Sequence, residues 1–108
     1  MIRTLLSIKN TRMKTYLISY DLRIPETSAD YQKLIKYIKS FSSWAKPLKS
    51  VWFIKTYKSV SEVRDELNKE IDANDGVLVI DVTGANWGTI GVSKEVTDWM
   101  EEHLEEQP

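Results

Sequence analysis

The chain has 108 residues, 42% of them hydrophobic, which suits a single domain that buries about 65% of the surface its unfolded form exposes. No apolar run approaches the roughly 20 residues needed to cross a bilayer. There is no cysteine, which excludes disulfides, thiolate metal sites and cysteine nucleophiles and fits a reducing cytoplasm, and the single histidine, His103, excludes a histidine-cluster zinc site within one chain.

The net charge of −1 argues against a uniformly basic nucleic-acid binder, but the two halves differ. Residues 1–58 carry twelve Lys/Arg against three Asp/Glu, whereas residues 59–108 carry three Lys/Arg against thirteen Asp/Glu. Between Tyr31 and Ser61 there are seven lysines and no acid, and Glu95 to Glu106 holds six acids. Residues 1–12 are basic and acid-free; they are read as a loosely ordered extension ahead of one domain over 13–108, rather than as a targeting signal.

Tyr16-Leu17-Ile18-Ser19-Tyr20-Asp21-Leu22 reads as the first strand. Alternation puts Tyr16, Ile18 and Tyr20 on one face and Leu17, Ser19 and Asp21 on the other, so the strand delivers a carboxylate to its end. After a loop containing Pro25, Ser28 caps a helix running to about Phe41, with Tyr31, Leu34, Ile35, Ile38 and Phe41 as its apolar stripe. Lys33, Lys36 and Lys39 fall on the opposite side, the ordinary pattern of a solvated helix face.

Trp44 to Lys46 with Pro47 suggest a short edge strand, turning into an inner strand over 50–56. Ser59 or Ser61 opens a second helix, with Glu62 at capping-box spacing from Ser59, and its stripe is Val60, Val63, Leu67 and Ile71. The turn Asp72-Ala73-Asn74-Asp75-Gly76 precedes a strand over 77–82. The loop from Gly84 to Gly91 matches neither the dinucleotide nor the P-loop fingerprint and lacks a phosphate-reaching lysine. A helix over 94–104, capped by Ser93, closes the chain with Val96, Trp99, Met100 and Leu104 as its stripe.

Strand, helix, strand, strand, helix, strand in one small domain points to an α+β fold, a ferredoxin-like βαββαβ sandwich with an added C-terminal helix. Both helices are expected on one sheet face, with the first and third strands side by side and parallel. The uncovered face is then expected to show Leu17, Ser19, Asp21, Val51, Phe53, Lys55, Val77, Val79 and Asp81, too apolar to be left in water. A second copy of the chain or the C-terminal helix is expected to cover it.

The strand 16–22, the stretch Trp44-Ala45-Lys46-Pro47-Leu48-Lys49-Ser50-Val51-Trp52-Phe53-Ile54-Lys55-Thr56, and the segments Val63-Arg64-Asp65-Glu66-Leu67 and Val77-Leu78-Val79-Ile80 resemble the Cas-two-like family, relatives of the small CRISPR-associated adaptation protein. The resemblance spans about 13–84, and more weakly 87–104. It implies a ferredoxin-like protomer that dimerises through its sheet face. It also implies that an aspartate ending the first strand, here Asp21, meets its copy across the axis and holds a divalent cation, Mg2+ or Mn2+. Some members then act as metal-dependent endonucleases, with Asp21 as both metal ligand and catalytic residue, while others only bind DNA. The chain lacks the paired arginines common in that family and offers Arg23 with scattered lysines instead.

Two readings of Asp21 follow. Lys55, expected at the same sheet edge and on the same face, makes a structural ion pair sufficient to explain it; alternatively, paired carboxylates with retained waters hold a metal. Asp75, at the start of the last strand, is the nearest other acid, with Asp81 at the far edge. Arg23, Lys33, Lys36, Lys46, Lys49 and Lys58 are the candidate phosphate contacts for DNA or RNA, doubled in a dimer. Trp44 and Trp87 are either base-stacking platforms or buried contact residues. The acidic C-terminal helix is either a solvated face or a mimic of nucleic acid folding over the basic side. A reading from a different class is a non-catalytic protein-binding or toxin-antitoxin-like module that uses the sheet face or the acidic C-terminal helix.

Overall fold

The computed structural model describes residues 12–23, 25 and 28–105; the expected extension over 1–12 lies outside them except for Arg12. The elements run β1 (Lys14–Asp21), α1 (Ala29–Lys39), β2 (Ser43–Leu48), β3 (Val51–Thr56), α2 (Val60–Asn68), β4 (Gly76–Asp81) and α3 (Lys94–His103). Among the described residues the fold is α+β, with a four-stranded antiparallel sheet ordered β2-β3-β1-β4 and three helices.

Each helix starts where a serine side chain satisfies an otherwise unpaired N–H: Ser28 accepts from Tyr31, Ser59 from Glu62 and Ser93 from Val96. At Ser59 the Glu62 carboxylate also accepts the serine's own N–H, completing the capping box. Helical spacing then puts Tyr31, Leu34 and Ile38 of α1, and Val63 and Leu67 of α2, into one core with Tyr16, Ile18, Tyr20, Trp52 and Ile54 of the sheet. The Trp52 indole N–H donates to the Tyr20 hydroxyl at 3.0 Å, so the largest buried side chain keeps its polar atom satisfied.

β1 and β3 run antiparallel, not parallel as expected. Lys55 therefore sits opposite Thr15, six residues and about 20 Å along β1 from Asp21. The Asp21–Lys55 pair is not formed. β4 also has the opposite phase to the expected one. Its register sets Val77 opposite Tyr20 and Val79 opposite Ile18, on the helix-covered face, and Leu78 opposite Ser19 and Ile80 opposite Leu17, on the other. Four consecutive apolar residues carry no alternation to decide this.

The second sheet face is covered from within the same chain, but only in part. α3 lays Val96, Trp99, Met100 and, just past its end, Leu104 on Phe53 and Leu17, with the Trp99 ring stacked 5.9 Å from that of Phe53. Its last turn is held by polar contacts. The buried Thr15 hydroxyl donates to the His103 carbonyl at 2.5 Å, Lys55 Nζ donates to the same oxygen at 3.2 Å, and the Gly84 N–H reaches the Leu104 carbonyl. Carbonyls that no helical N–H can reach are thus satisfied by β1, β3 and the loop after β4, and a cation lies at the negative end of the helix dipole.

Two substitutions test this arrangement by urea denaturation. Ile54→Ala, at a position with no solvent exposure, is expected to destabilise the fold by about 2–5 kcal/mol. Ser59→Ala, which removes the capping box, is expected to cost about 1 kcal/mol.

Candidate functional site

Asp21 is exposed at the end of β1, on the sheet face that α3 partly covers. Its register partner on β4 is Gly76, and a Cβ built there meets nothing within 4 Å, so the space beside the carboxylate is open. One shallow cavity beside it is lined by Ser19, Asp21, Gly76 and Leu78. A second, on the other side, is lined by Asp21, Leu22, Pro25, Tyr31, Lys49 and Ser50. The cation that shares a cavity with Asp21 is Lys49, in the β2–β3 turn, and not Lys55.

Asp75 lies at this same end of the sheet and is committed to the fold. Its carboxylate accepts the N–H of Arg23 and that of Asp72, each at 3.0 Å, tying the exit of β1 to the turn before β4. These two donors hold its carboxyl below the usual aspartate range. Asp81 is opposite Tyr16, at the far end, and caps the Thr83 N–H. Among the described residues no three His, Cys, Asp or Glu side chains group closely enough to hold a metal ion. Among the described residues at this end of the sheet, a divalent cation would fit as one Asp21 carboxylate per protomer, with water or a second chain completing the shell.

The six candidate phosphate contacts do not form one patch. Lys58 is 2.6 Å from the Glu66 carboxylate, which also accepts the Tyr37 hydroxyl at 2.6 Å. Hydrogen bonds from Lys58 and then Tyr37 lower the Glu66 carboxyl, while burial and then Glu66 raise the Tyr37 phenol. Lys33 lines a cavity with Asp30, Lys69, Glu70, Asp72 and Asp75, so acids surround it. Arg23 and Lys49 flank the Asp21 end, Lys36 projects from the exposed side of α1, and Lys46 lies on the edge strand β2.

Lys46 is joined by a residue outside that set of six. Lys39, at the end of α1, places its ammonium 5.4 Å from the Trp44 ring centroid and 5.9 Å from that of Trp52, and Lys46 lies 5.1 Å from Trp52. The signal was present in the spacing: Trp44 and Lys46 are two apart on a strand and share a face, and Lys39 continues the row of Lys33 and Lys36.

The uncovered part of the sheet face is a feature of the same surface. Leu48, Leu78 and Ile80 are 57%, 54% and 44% exposed, a proportion at which single apolar residues are common but three on one face form a patch. The patch borders Ser19 and Asp21. Comparison of the chain with protein-family models, curated proteins and solved structures finds no match. Among the described residues no helix is long and apolar enough to cross a membrane.

The covered half of this face contains the chain's one histidine. Burial, then the Lys55 ammonium, hold the His103 imidazole below its ordinary value, with Glu102 opposing them. Because the unfolded chain takes up this proton at a higher pH than the folded one, stability is complete above about pH 6.5 and falls as pH drops through the lowered value. The thermal midpoint is expected to decline between pH 7.5 and 5.5, and His103→Gln should flatten that decline. The lowered carboxyls of Glu66 and Asp75 act in a separate, more acidic range.

Proposed function

We propose that the protein is a homodimeric, nucleic-acid-associated member of the Cas-two-like group, with a ferredoxin-like sandwich and an added C-terminal helix, and that Asp21 from each protomer holds a Mg2+ or Mn2+ ion for phosphodiester cleavage. The observation that carries this reading is the half-open sheet face, where exposed Leu48, Leu78 and Ile80 lie beside an exposed carboxylate. A two-fold axis through such a patch lets it cover itself, and it brings two copies of whatever borders the axis together. Both α1 and α2 packed on the opposite face, and β1 and β3 at the sheet centre, support the sandwich reading.

In the dimer, Asp21 holds the cation and Ser19, on the same face, lines the approach to it. The cation supplies Lewis-acid polarisation of a phosphoryl oxygen when bound. Arg23, Lys36 and Lys46 are the cations that meet phosphate in this reading, since Lys33 and Lys58 are balanced by acids. A second reading has its own support. With the apolar side of α3 docked in its own chain, Glu95, Asp98, Glu101 and Glu102 are exposed along its outer side and suit a basic protein partner in a non-catalytic, toxin-antitoxin-like module.

Light scattering is expected to give a dimer mass that Ile80→Glu converts to monomer without loss of helical signal. DNA or RNA binding at low salt is expected to weaken steeply as salt rises. Magnesium- or manganese-dependent cleavage should vanish in Asp21→Asn. A monomeric parent protein, or one that binds neither nucleic acid, would overturn the reading, and unchanged cleavage by Asp21→Asn would remove the catalytic role alone.

A further inference from the structure

We infer that the edge of the sheet at Trp44 is a stacking site for single-stranded nucleic acid, with Trp44 as the platform for a base and Lys39 and Lys46 as the phosphate contacts. The inference rests on the nucleic-acid reading above and adds the class of strand and its place on the molecule, far from any requirement for the Asp21 pair.

The starting point is the division of labour between two tryptophans. Trp52 is 2% exposed, and its indole N–H is spent on Tyr20, so it belongs wholly to the core. Trp44 leans against it with centroids 5.4 Å apart and rings tilted by 60°, yet remains 37% exposed. Trp52 therefore backs Trp44 like a wall, fixing a large aromatic surface that solvent still reaches. Holding a platform rigid before a base arrives removes the ordering cost that a flexible aromatic would add on binding.

The charges around it have the matching sign. Two ammonium groups, from α1 above and from β2 itself, sit against this ring pair at 5.1–5.9 Å. Cation–π contact keeps them beside the rings, and among the described residues neither pairs with a carboxylate, unlike Lys58 and Lys33. Lys36 stands further along the exposed side of α1, and no acid occurs from Tyr31 to Ser61. An aromatic face that solvent reaches, set among backbone-reaching cations, is the combination that binds single strands without sequence preference. A duplex would engage the same lysines but offer no unstacked base to the indole.

Because β2 is an edge strand, a nucleic-acid strand can follow it without displacing any neighbouring strand. Pro47, next to its last residue, removes one N–H from that edge and so disfavours pairing with another β-strand.

The test uses fluorescence anisotropy of a short labelled oligo(dT) and of a mixed-sequence duplex of equal length, measured on the intact protein at several salt concentrations. Trp44→Leu keeps an apolar cover over Trp52 but removes the π face, and Trp44→Phe keeps a smaller π face. Trp44→Leu is expected to weaken oligo(dT) binding by about five- to a hundredfold with duplex binding little changed, and Trp44→Phe to recover most of the loss. Lys39→Ala and Lys46→Ala should each reduce the salt slope for the single strand by about 0.7. Thermal midpoints of all variants confirm that folded protein is compared. Duplex binding with oligo(dT) affinity unmoved by Trp44→Leu would overturn this site and leave the broader reading intact; binding to neither nucleic acid would overturn both.

Discussion

The carbonyl of His103 is where the second layer of the molecule is fastened. It takes the buried Thr15 hydroxyl from β1 and the Lys55 ammonium from β3, while Gly84 serves the next carbonyl. A helix end buried without donors would cost several kcal/mol, so these contacts permit α3 to end against the sheet. Burial lowers the Lys55 ammonium from its usual range, which is the cost of holding a cation there, and the nearby Glu102 partly offsets it. Trp99 adds a hydrogen bond from its indole N–H to Ser43 at 2.9 Å, locking the helix in rotation as well as position. With α3 fixed at one end of the face, the other end, from Leu48 across to Leu78 and Ile80, is left open beside Asp21.

That division separates structure from chemistry along β1. Its early residues Thr15, Tyr16 and Leu17 support α3 or the core, and Thr15 has no exposure at all. Its last, Asp21, faces open space above Gly76 and shares cavities with Ser19 on one side and Lys49 on the other. Asp75, next to the Gly76 that pairs with Asp21, is drawn into fixing the loop by accepting the N–H groups of Arg23 and Asp72. With Asp75 engaged in this way, the proposed metal site takes its second carboxylate from another chain, so the dimer and that site stand or fall together.

Local signals in the sequence proved easier to interpret than directional ones. The three serine caps and the capping box depend on neighbours within a turn and appear where the spacing puts them, whereas α1 ends at Lys39 and α2 at Asn68, so that Phe41 and Ile71 pack on the core from beyond the helix ends. Pro47 and the polar alternation likewise mark β2 as an edge. Strand direction is set by how the intervening helix and hairpin cross the sheet, and misassigning β1 and β3 as parallel moved Lys55 to the wrong end. In Val77-Leu78-Val79-Ile80 both faces are apolar because one is roofed by α2 and the other borders an open patch, so period-two alternation is silent about phase. Lys39 escaped notice as a contact because its value lies in a tertiary meeting with Trp44, not in the helix pattern alone.

The proposed dimer is defined by the surface its two copies would share, and a chain without cysteine allows that to be measured at single sites. Spin labels attached through Asp21→Cys, and separately through Ser61→Cys on the helix layer, report interprotomer distance by pulsed dipolar spectroscopy. The account predicts a short, narrow distance from position 21 and a longer one from position 61. A position 21 distance longer than that from position 61, or no dipolar coupling at either site, would contradict it.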